Sequence, residues 1–304
     1  MNNFNGFMKF AVTGGAGFVG SNIVKELIKQ NHTPIVIDNF YRGKIERISS
    51  LNVDIYKIDI RNFVQLKNIL KNVDGIFHEA ALTDVQESFV KQEEYNDVNV
   101  KGTENIFKIA KEFNLKVVYA SSSSIYGNPK KIPIIESSSR NPINPYGKTK
   151  LDDEVLAEKY SNDKVSIIGL RYFNVYGKGQ TGSYAGVITK FVNNLKEKKS
   201  PIIFGSGNQL RDFISVEDVA LANISAMQSN VNNGFFNIGT GITTSIQQLA
   251  KIMIEVSGLK LKPEYEKALE GDVESSQADT ILTESILKWK YSMELKEGLS
   301  GFFI

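Results

Sequence analysis

Three glycines, Gly14, Gly17 and Gly20, stand between the strand pattern Lys9-Phe10-Ala11-Val12 and a helical pattern. In the latter, Ile23 and Leu27, like Val24 and Ile28, are four apart, which is helical spacing. A strand that turns this tightly into a helix needs residues without a Cβ, for positive φ or for close backbone approach. The helix end then presents free N–H groups and the positive end of its dipole, where phosphate oxygens are held. The spacing is GxxGxxG rather than the GxGxxG of the general dinucleotide fingerprint. By itself, an ordinary glycine-rich βα turn would read the same.

A second strand pattern, Thr33 to Ile37, ends in Asp38-Asn39. Asp38 lies near the ~20-residue distance at which a carboxylate beyond the glycines reaches the adenosine ribose hydroxyls. A carboxylate there repels a 2′-phosphate and favours NAD over NADP. Arg42 nearby pulls the other way, and an aspartate that merely caps the strand end is the plain alternative.

At 304 residues the chain is long enough for one large core, or for a core with a smaller appendage. Its net charge of +2 is spread evenly, which leaves no footprint for nucleic acid or a membrane surface. Cysteine is absent and the histidines are His32 and His78, so neither thiol chemistry nor a metal site is expected. No apolar run approaches the ~20 residues of a membrane span, and the N-terminus lacks a signal-peptide core. A cytoplasmic location is the expectation, with Met1 to Phe7 a polar extension ahead of a second possible start at Met8.

Further strand patterns run over Val53 to Ile58, Gly75 to His78, Val117 to Ala120 and Val165 to Leu170. Helical patterns intervene over Phe63 to Lys71, Val98 to Phe113 and Lys148 to Tyr160. Such alternation predicts an α/β fold, a doubly wound parallel sheet with helices on both faces. Ligand then belongs at the carboxyl ends of the strands. Past residue 175 the regularity weakens. The predicted organisation is a nucleotide-binding domain over 1–175 and mainly a substrate lobe over 176–304, with late elements returning to the sheet.

Tyr146 and Lys150 are four apart in the helix that follows Pro142 and Pro145, hence neighbours on one face. An ammonium beside a phenol favours the phenolate, as a tyrosine base near neutrality requires. Many helices carry such a pair on their surface with no function. The strand at Val117 to Ala120 runs into Ser121-Ser122-Ser123-Ser124, whose hydroxyls could bond a substrate oxygen or form a plain polar loop.

Taken in order, these pieces resemble the extended short-chain dehydrogenase/reductases, and within them the nucleotide-sugar epimerase/dehydratase family. The resemblance spans about residues 8 to 290. It is carried by Thr13 to Gly20, Asp38-Asn39, Asp59-Ile60, His78-Glu79-Ala80-Ala81, Asn99 to Thr103, Ser121 to Gly127, Tyr146 to Lys150, Arg171 to Gly177 and Arg211 to Ile214. It implies Ser122 as the catalytic hydroxyl, Tyr146 as the base, and Lys150 as the group that holds both Tyr146 and the nicotinamide ribose. The implied NAD site comprises Gly14, Gly17, Phe18, Val19, Asp38, Asn39, Asp59, Ile60, Ala80, Ala81, Asn99 and Tyr172, with Tyr146 and Lys150. Asp59 would bond the adenine amine. The implied sugar-nucleotide site comprises Thr83, Ser122, Ser123, Tyr146, Asn174, Val187, Ile202, Phe204, Arg211, Asp272 and Ser276. Asn174 and Arg211 would contact the diphosphate, and Ile202 and Phe204 would sandwich the base; a core role for Phe204 or an ion pair of Arg211 with Asp212 or Glu217 is the alternative.

The dehydratases of this family carry an acidic pair where this chain has Ser123 and Ser124. Elimination of water needs both a base and an acid, which two serines do not supply. The decarboxylating members place a glutamate in the same loop and are disfavoured too, so what the resemblance implies is epimerisation at C4 of a UDP-hexose through a 4-keto sugar. A net reductase or a non-catalytic NAD-binding sensor is the other reading, and bound NAD without a need for stoichiometric reductant separates them. Relatives commonly have an arginine where this chain has Leu269, which leaves the choice of nucleotide sugar open. Ser276, where a bulky tyrosine restricts relatives to glucose and galactose, would leave room for an N-acetyl group. Ile106, Phe107, Ala110, Leu151 and Val155 add apolar surface to two helices that pair between subunits in the family, so a homodimer is expected.

Overall fold

The computed structural model describes residues 6–180, 186–268 and 273–303. Seven strands form one parallel sheet: β1 (Lys9–Thr13), β2 (Thr33–Asp38), β3 (Asp54–Lys57), β4 (Gly75–His78), β5 (Lys116–Ser122), β6 (Ile167–Tyr172) and β10 (Asn233–Ile238). Their spatial order is β10-β6-β5-β4-β1-β2-β3. The chain winds outward in both directions from β1, so the order reverses between β1 and β4, with Thr13 beside His78. A crevice opens at such a reversal, outside the carboxyl ends of the strands.

The inner strands sit where the apolar patterns place them because they are covered on both faces, which demands near-continuous hydrophobic runs; edge strand β3 is largely exposed. One face is covered by α1 (Phe18–Lys29) and α8 (Val216–Gln228), whose Ile23, Val24, Leu27, Val219 and Ala222 join Val12, Val36, Phe77 and Val118 in one core. The other carries α2 (Phe63–Leu70), α5 (Gly102–Phe113) and α6 (Pro145–Tyr160), with Leu66, Ile106, Phe107 and Ala157 against Ala11, Ile76 and Val117. Ile106, Phe107 and Ala110 are fully buried in that core; the apolar surplus read from the sequence at these three is used within the chain.

Two short helices, α3 (Val85–Val90) and α4 (Gln92–Tyr95), follow β4. The expected single helix from Val98 to Phe113 instead opens with a wide π-type turn, Asn96–Lys101. There Asn99 turns inward, exchanging hydrogen bonds with both backbone groups of Leu82. Wide turns of this kind recur at functional sites.

A second core lies beyond the sheet's carboxyl edge. It is built from β7 (Asn174–Tyr176), α7 (Val187–Lys196), β8 (Ile202–Phe204), β9 (Leu210–Ser215), β11 (Thr243–Ser245), α9 (Ile246–Ser257), β12 (Glu264–Glu266) and α11 (Leu295–Ser300), whereas α10 (Ile281–Leu287) packs its Leu287 into the core of the main sheet. Phe191, Leu195, Ile203, Leu249 and Met253 are its buried centre. This half is more regular than its glycine-interrupted sequence suggests, because short breaks separate well-formed helices. β10 lies between its elements in sequence but pairs with β6 in the main sheet.

Candidate active site

The glycine turn joins β1 to α1. Gly14 has φ +65°, and a Cβ on it would lie 2.7 Å from the backbone nitrogen of Ala80. A Cβ on Gly20 would lie 2.3 Å from the Gly14 carbonyl oxygen. Only glycine allows the turn to lie this close to the end of β4. Helix α1 begins at Phe18, four residues earlier than its apolar pattern shows, since its first turn holds Gly20 and follows directly on the cap Gly17. Its cap, Gly17, provides no side-chain hydrogen bond and its first turn holds no acid, so the N–H groups of Phe18 and Val19 face outward without a capping partner. That is the arrangement a pyrophosphate fits.

Asp38 closes the other side of the turn. It accepts hydrogen bonds from the N–H of Ala16 at 3.0 Å and of Phe40 at 2.7 Å. A Cβ at Gly43 would meet its carboxylate at 2.6 Å, which explains a glycine there. Arg42, the residue that spoke for a 2′-phosphate, is ion-paired with Glu87. Next along, Asn39 donates to Asp59 at 2.9 Å, and Arg61 grips the same carboxylate at 2.9 and 2.8 Å. That grip holds Asp59 ionised, well below the usual carboxylate range. Ile60 is buried against Gly102.

The carboxyl ends of β4, β5 and β6 bring the remaining pieces together. The Ser122 Oγ donates to Ser124 Oγ at 3.1 Å and accepts from the Ser124 N–H, also at 3.1 Å. Helix α6 starts on a good cap, Asn144 accepting from the Gly147 N–H at 2.8 Å, with Pro145 in its first turn. Tyr146 is half-buried and its N–H donates to Ser88 Oγ. Thr149 ties the helix to Asn99, whose amide donates to its hydroxyl at 3.0 Å. Lys150 is only 4% exposed and donates to Asp153 at 3.2 Å. Burial would lower its ammonium, but Asp153, then Tyr146 and Glu79, outweigh this and hold it above the usual lysine value.

Glu79 follows His78 at the end of β4. It accepts a hydrogen bond from the Tyr172 hydroxyl at 3.0 Å, and Asn223 donates to that hydroxyl at 2.7 Å. Burial pushes the Glu79 carboxyl up to about 8, against the opposing pull of Tyr172 and Lys150. His78 lies between two hydroxyls, Thr13 at 2.6 Å and Thr103 at 2.9 Å, and burial keeps it neutral, lowered to about 3. Ala80 and Ala81 are half-buried beside it, and Thr83 is exposed. Glu79, Asn223 and Asp153 were not singled out from the sequence. Glu79 lay inside a quoted motif; Asn223 and Asp153 carried no local signal.

Of the residues assigned to the sugar nucleotide, Asn174 donates to the Asp212 carbonyl at 3.0 Å, and Arg211, 9% exposed, to the Leu210 carbonyl at 2.9 Å. Asp212 is filled by the N–H groups of Thr240, Gly241 and Ala278. Val187, Ile202 and Phe204 are half-buried on α7 and β8, with Lys190 5.9 Å over the Phe204 ring. Ser276 is buried beside Leu210, to whose carbonyl its N–H donates at 3.0 Å. Leu269 and Asp272 lie outside the described residues. Among the described residues no group of acids and histidines could hold a metal ion, and no helix is long and apolar enough to cross a membrane.

A nucleotide-binding parallel sheet with serine, tyrosine and lysine near its carboxyl edge defines a short-chain dehydrogenase/reductase of the extended type. Residues 10–239 match the model of the NAD dependent epimerase/dehydratase family. The chain is 33% identical to UDP-glucose 4-epimerase of Lactobacillus helveticus, over 93% of this chain and 92% of that one. It superposes on Thermotoga maritima UDP-glucose 4-epimerase, solved with UDP-glucose, with a TM-score of 0.92 at 33% identity and 96% coverage of both chains. With Methanobrevibacter ruminantium UDP-N-acetylglucosamine 4-epimerase, solved with UDP-N-acetylmuramic acid, the TM-score is 0.93 at 33% identity, covering 98% and 97%. The chain belongs to the NAD dependent epimerase/dehydratase family.

Proposed function

We propose that the chain is a UDP-hexose 4-epimerase that interconverts UDP-glucose and UDP-galactose, and their N-acetylated counterparts, with tightly bound NAD. The observation that carries this reading is Lys150, a buried ammonium held beside Tyr146. The turn at Gly14, Gly17, Phe18 and Val19 holds the pyrophosphate, Asp38 and Asn39 the ribose, and Asp59 the adenine. Ile60, Ala80, Ala81, Asn99 and Tyr172 line the rest of the cofactor site. NAD bound there would supply the hydride acceptor for C4 of the sugar and the donor for its return.

Tyr146 removes the O4 proton, and Lys150 makes that possible by stabilising the phenolate. Ser122 holds O4 by a hydrogen bond as it becomes a ketone oxygen. Tyr146 returns the proton after the 4-keto sugar has turned over. Ser123 and Ser124 supply no acid at C6, so water is not eliminated. Thr83, Asn174, Val187, Ile202, Phe204, Arg211, Asp272 and Ser276 hold the sugar nucleotide loosely enough to allow rotation.

In this reading residues 1–175 mainly bind NAD and 176–304 mainly bind the nucleotide sugar. The enzyme works in the cytoplasm as a homodimer joined through α5 and α6, where Val155 is 52% exposed. Incubating the purified protein with UDP-galactose should give UDP-glucose without added reductant, and acid denaturation should release NAD. A product that keeps its C4 configuration, or a strict need for NADPH, would overturn the reading.

A further inference from the structure

Helix α6 buries two adjacent carboxylates, Asp153 and Glu154, both at 0% exposure. Their surroundings differ. Glu154 is matched by Arg171, Arg140 and the Ser121 hydroxyl. Among the described residues Asp153 has a single cation, Lys150, at 3.2 Å from Oδ2, and its buried Oδ1 has no partner at hydrogen-bond geometry, the Thr103 hydroxyl adding a weaker pull. A carboxylate taken out of water loses several kcal/mol of solvation, and packing alone would be served as well by an apolar side chain. The same argument runs in reverse for Lys150. A lysine at this depth without a counter-ion sheds its proton, and a neutral amine cannot stabilise a phenolate.

We infer that Asp153 is a positioning residue for the reaction: it keeps Lys150 charged and oriented. This rests on the reading of Tyr146 and Lys150 as the proton-transfer pair. The other groups facing the pair are Asp152 of α6, His78 and Glu79 of β4, Tyr119 of β5 and the Thr103 hydroxyl of α5. His78 is neutral and already bonded on both ring nitrogens. Glu79 is held towards its protonated form by burial. Asp153 is therefore the carboxylate in contact with Lys150; burial pushes its carboxyl up to about 7 against the pull of Lys150, so it carries its charge above neutrality, where the lysine's proton is at stake.

The consequence falls on the alkaline side. Asp153 retains the ammonium, which keeps the alkaline limb of the activity profile high. Asp153→Asn removes the charge at nearly constant shape, so the alkaline limb of the kcat profile should move to lower pH by about one unit. Asp153→Glu keeps the charge and should leave that limb near its original place, with a lower kcat from altered geometry.

The test is the kcat–pH profile of the NAD-loaded enzyme for these variants, with Asp153→Ser read in the same way if the Asn variant does not fold. An acid-ward move of the alkaline limb in the neutral variants, absent in Asp153→Glu, supports the inference. An alkaline limb that stays in place in a folded neutral variant, whatever happens to the maximal rate, overturns it and leaves a packing role. Tyr146→Phe, run alongside, separates the two claims. If Tyr146→Phe is active, the catalytic reading itself fails; if it is inactive and the alkaline limb stays in place, only the role of Asp153 fails.

Discussion

Arg171 of β6 grips Glu154 of α6 through two parallel hydrogen bonds, at 2.8 and 2.9 Å, with both side chains buried. Glu154 lies one helical turn beyond Lys150, so this pair fixes the rotation of the helix that carries Tyr146 and Lys150. A third Arg171 nitrogen bond reaches the Tyr126 hydroxyl at 2.7 Å, and that hydroxyl donates in turn to Asn237 of β10. One guanidinium thus ties together α6, the loop after β5 and the last strand of the sheet.

Removing Arg171 should therefore cost both stability and turnover. Arg171→Met leaves Glu154 buried with Arg140 as its remaining cation, and loss of one partner of a buried pair costs about 3–5 kcal/mol. Urea denaturation should show a lower midpoint with an unchanged slope. A midpoint equal to that of the parent would mean that Arg140 alone suffices.

Tyr146→Phe deletes the phenol oxygen and no group assigned to the pyrophosphate. Turnover of UDP-galactose should fall by about 10²–10⁴-fold, the range for loss of a general base, while NAD released by denaturation stays at the parental amount. Activity above a tenth of the parent's would assign the base elsewhere.

Glu79 gives the cofactor-free protein a distinctive pH dependence. Its folded value, about 8 because of burial, lies above the ordinary carboxyl value, so the native state holds a proton that the unfolded chain releases. The sign follows: its contribution is present below about pH 4.5 and is lost as pH rises through 8. Glu79→Gln mimics the protonated form, so the melting temperatures of variant and parent should coincide near pH 4.5 and separate towards pH 9, with the variant higher. Parallel curves across that range would show that the carboxyl is not perturbed.

Ser276 is buried beside Leu210, rather than facing solvent. Replacing it by tyrosine should suppress turnover of UDP-N-acetylglucosamine and leave UDP-glucose within a few-fold of the parent. Steady-state rates on both sugars decide this; an equal loss on both, or a parent inactive on the N-acetylated sugar, would remove Ser276 from substrate selection.

The sequence was most informative where chemistry follows chain direction. Buried parallel strands need continuous apolar runs, so β1 to β6 could be read with errors of a few residues. The turn at Gly14 to Gly20 and the Tyr146/Lys150 pair are local geometries, set by the absence of a Cβ and by one helical turn. Folding decided which charges stand together. Glu79 meets Tyr172 across 93 residues, and Tyr172 meets Asn223 across 51. Asp153 stands three residues from Lys150, a spacing that on an exposed helix would give a weak surface pair. The tertiary structure buries both, and loss of water makes that contact stronger than its exposed counterpart. Periodicity records which face is apolar, but the depth of a polar group beneath that face depends on elements distant in the chain.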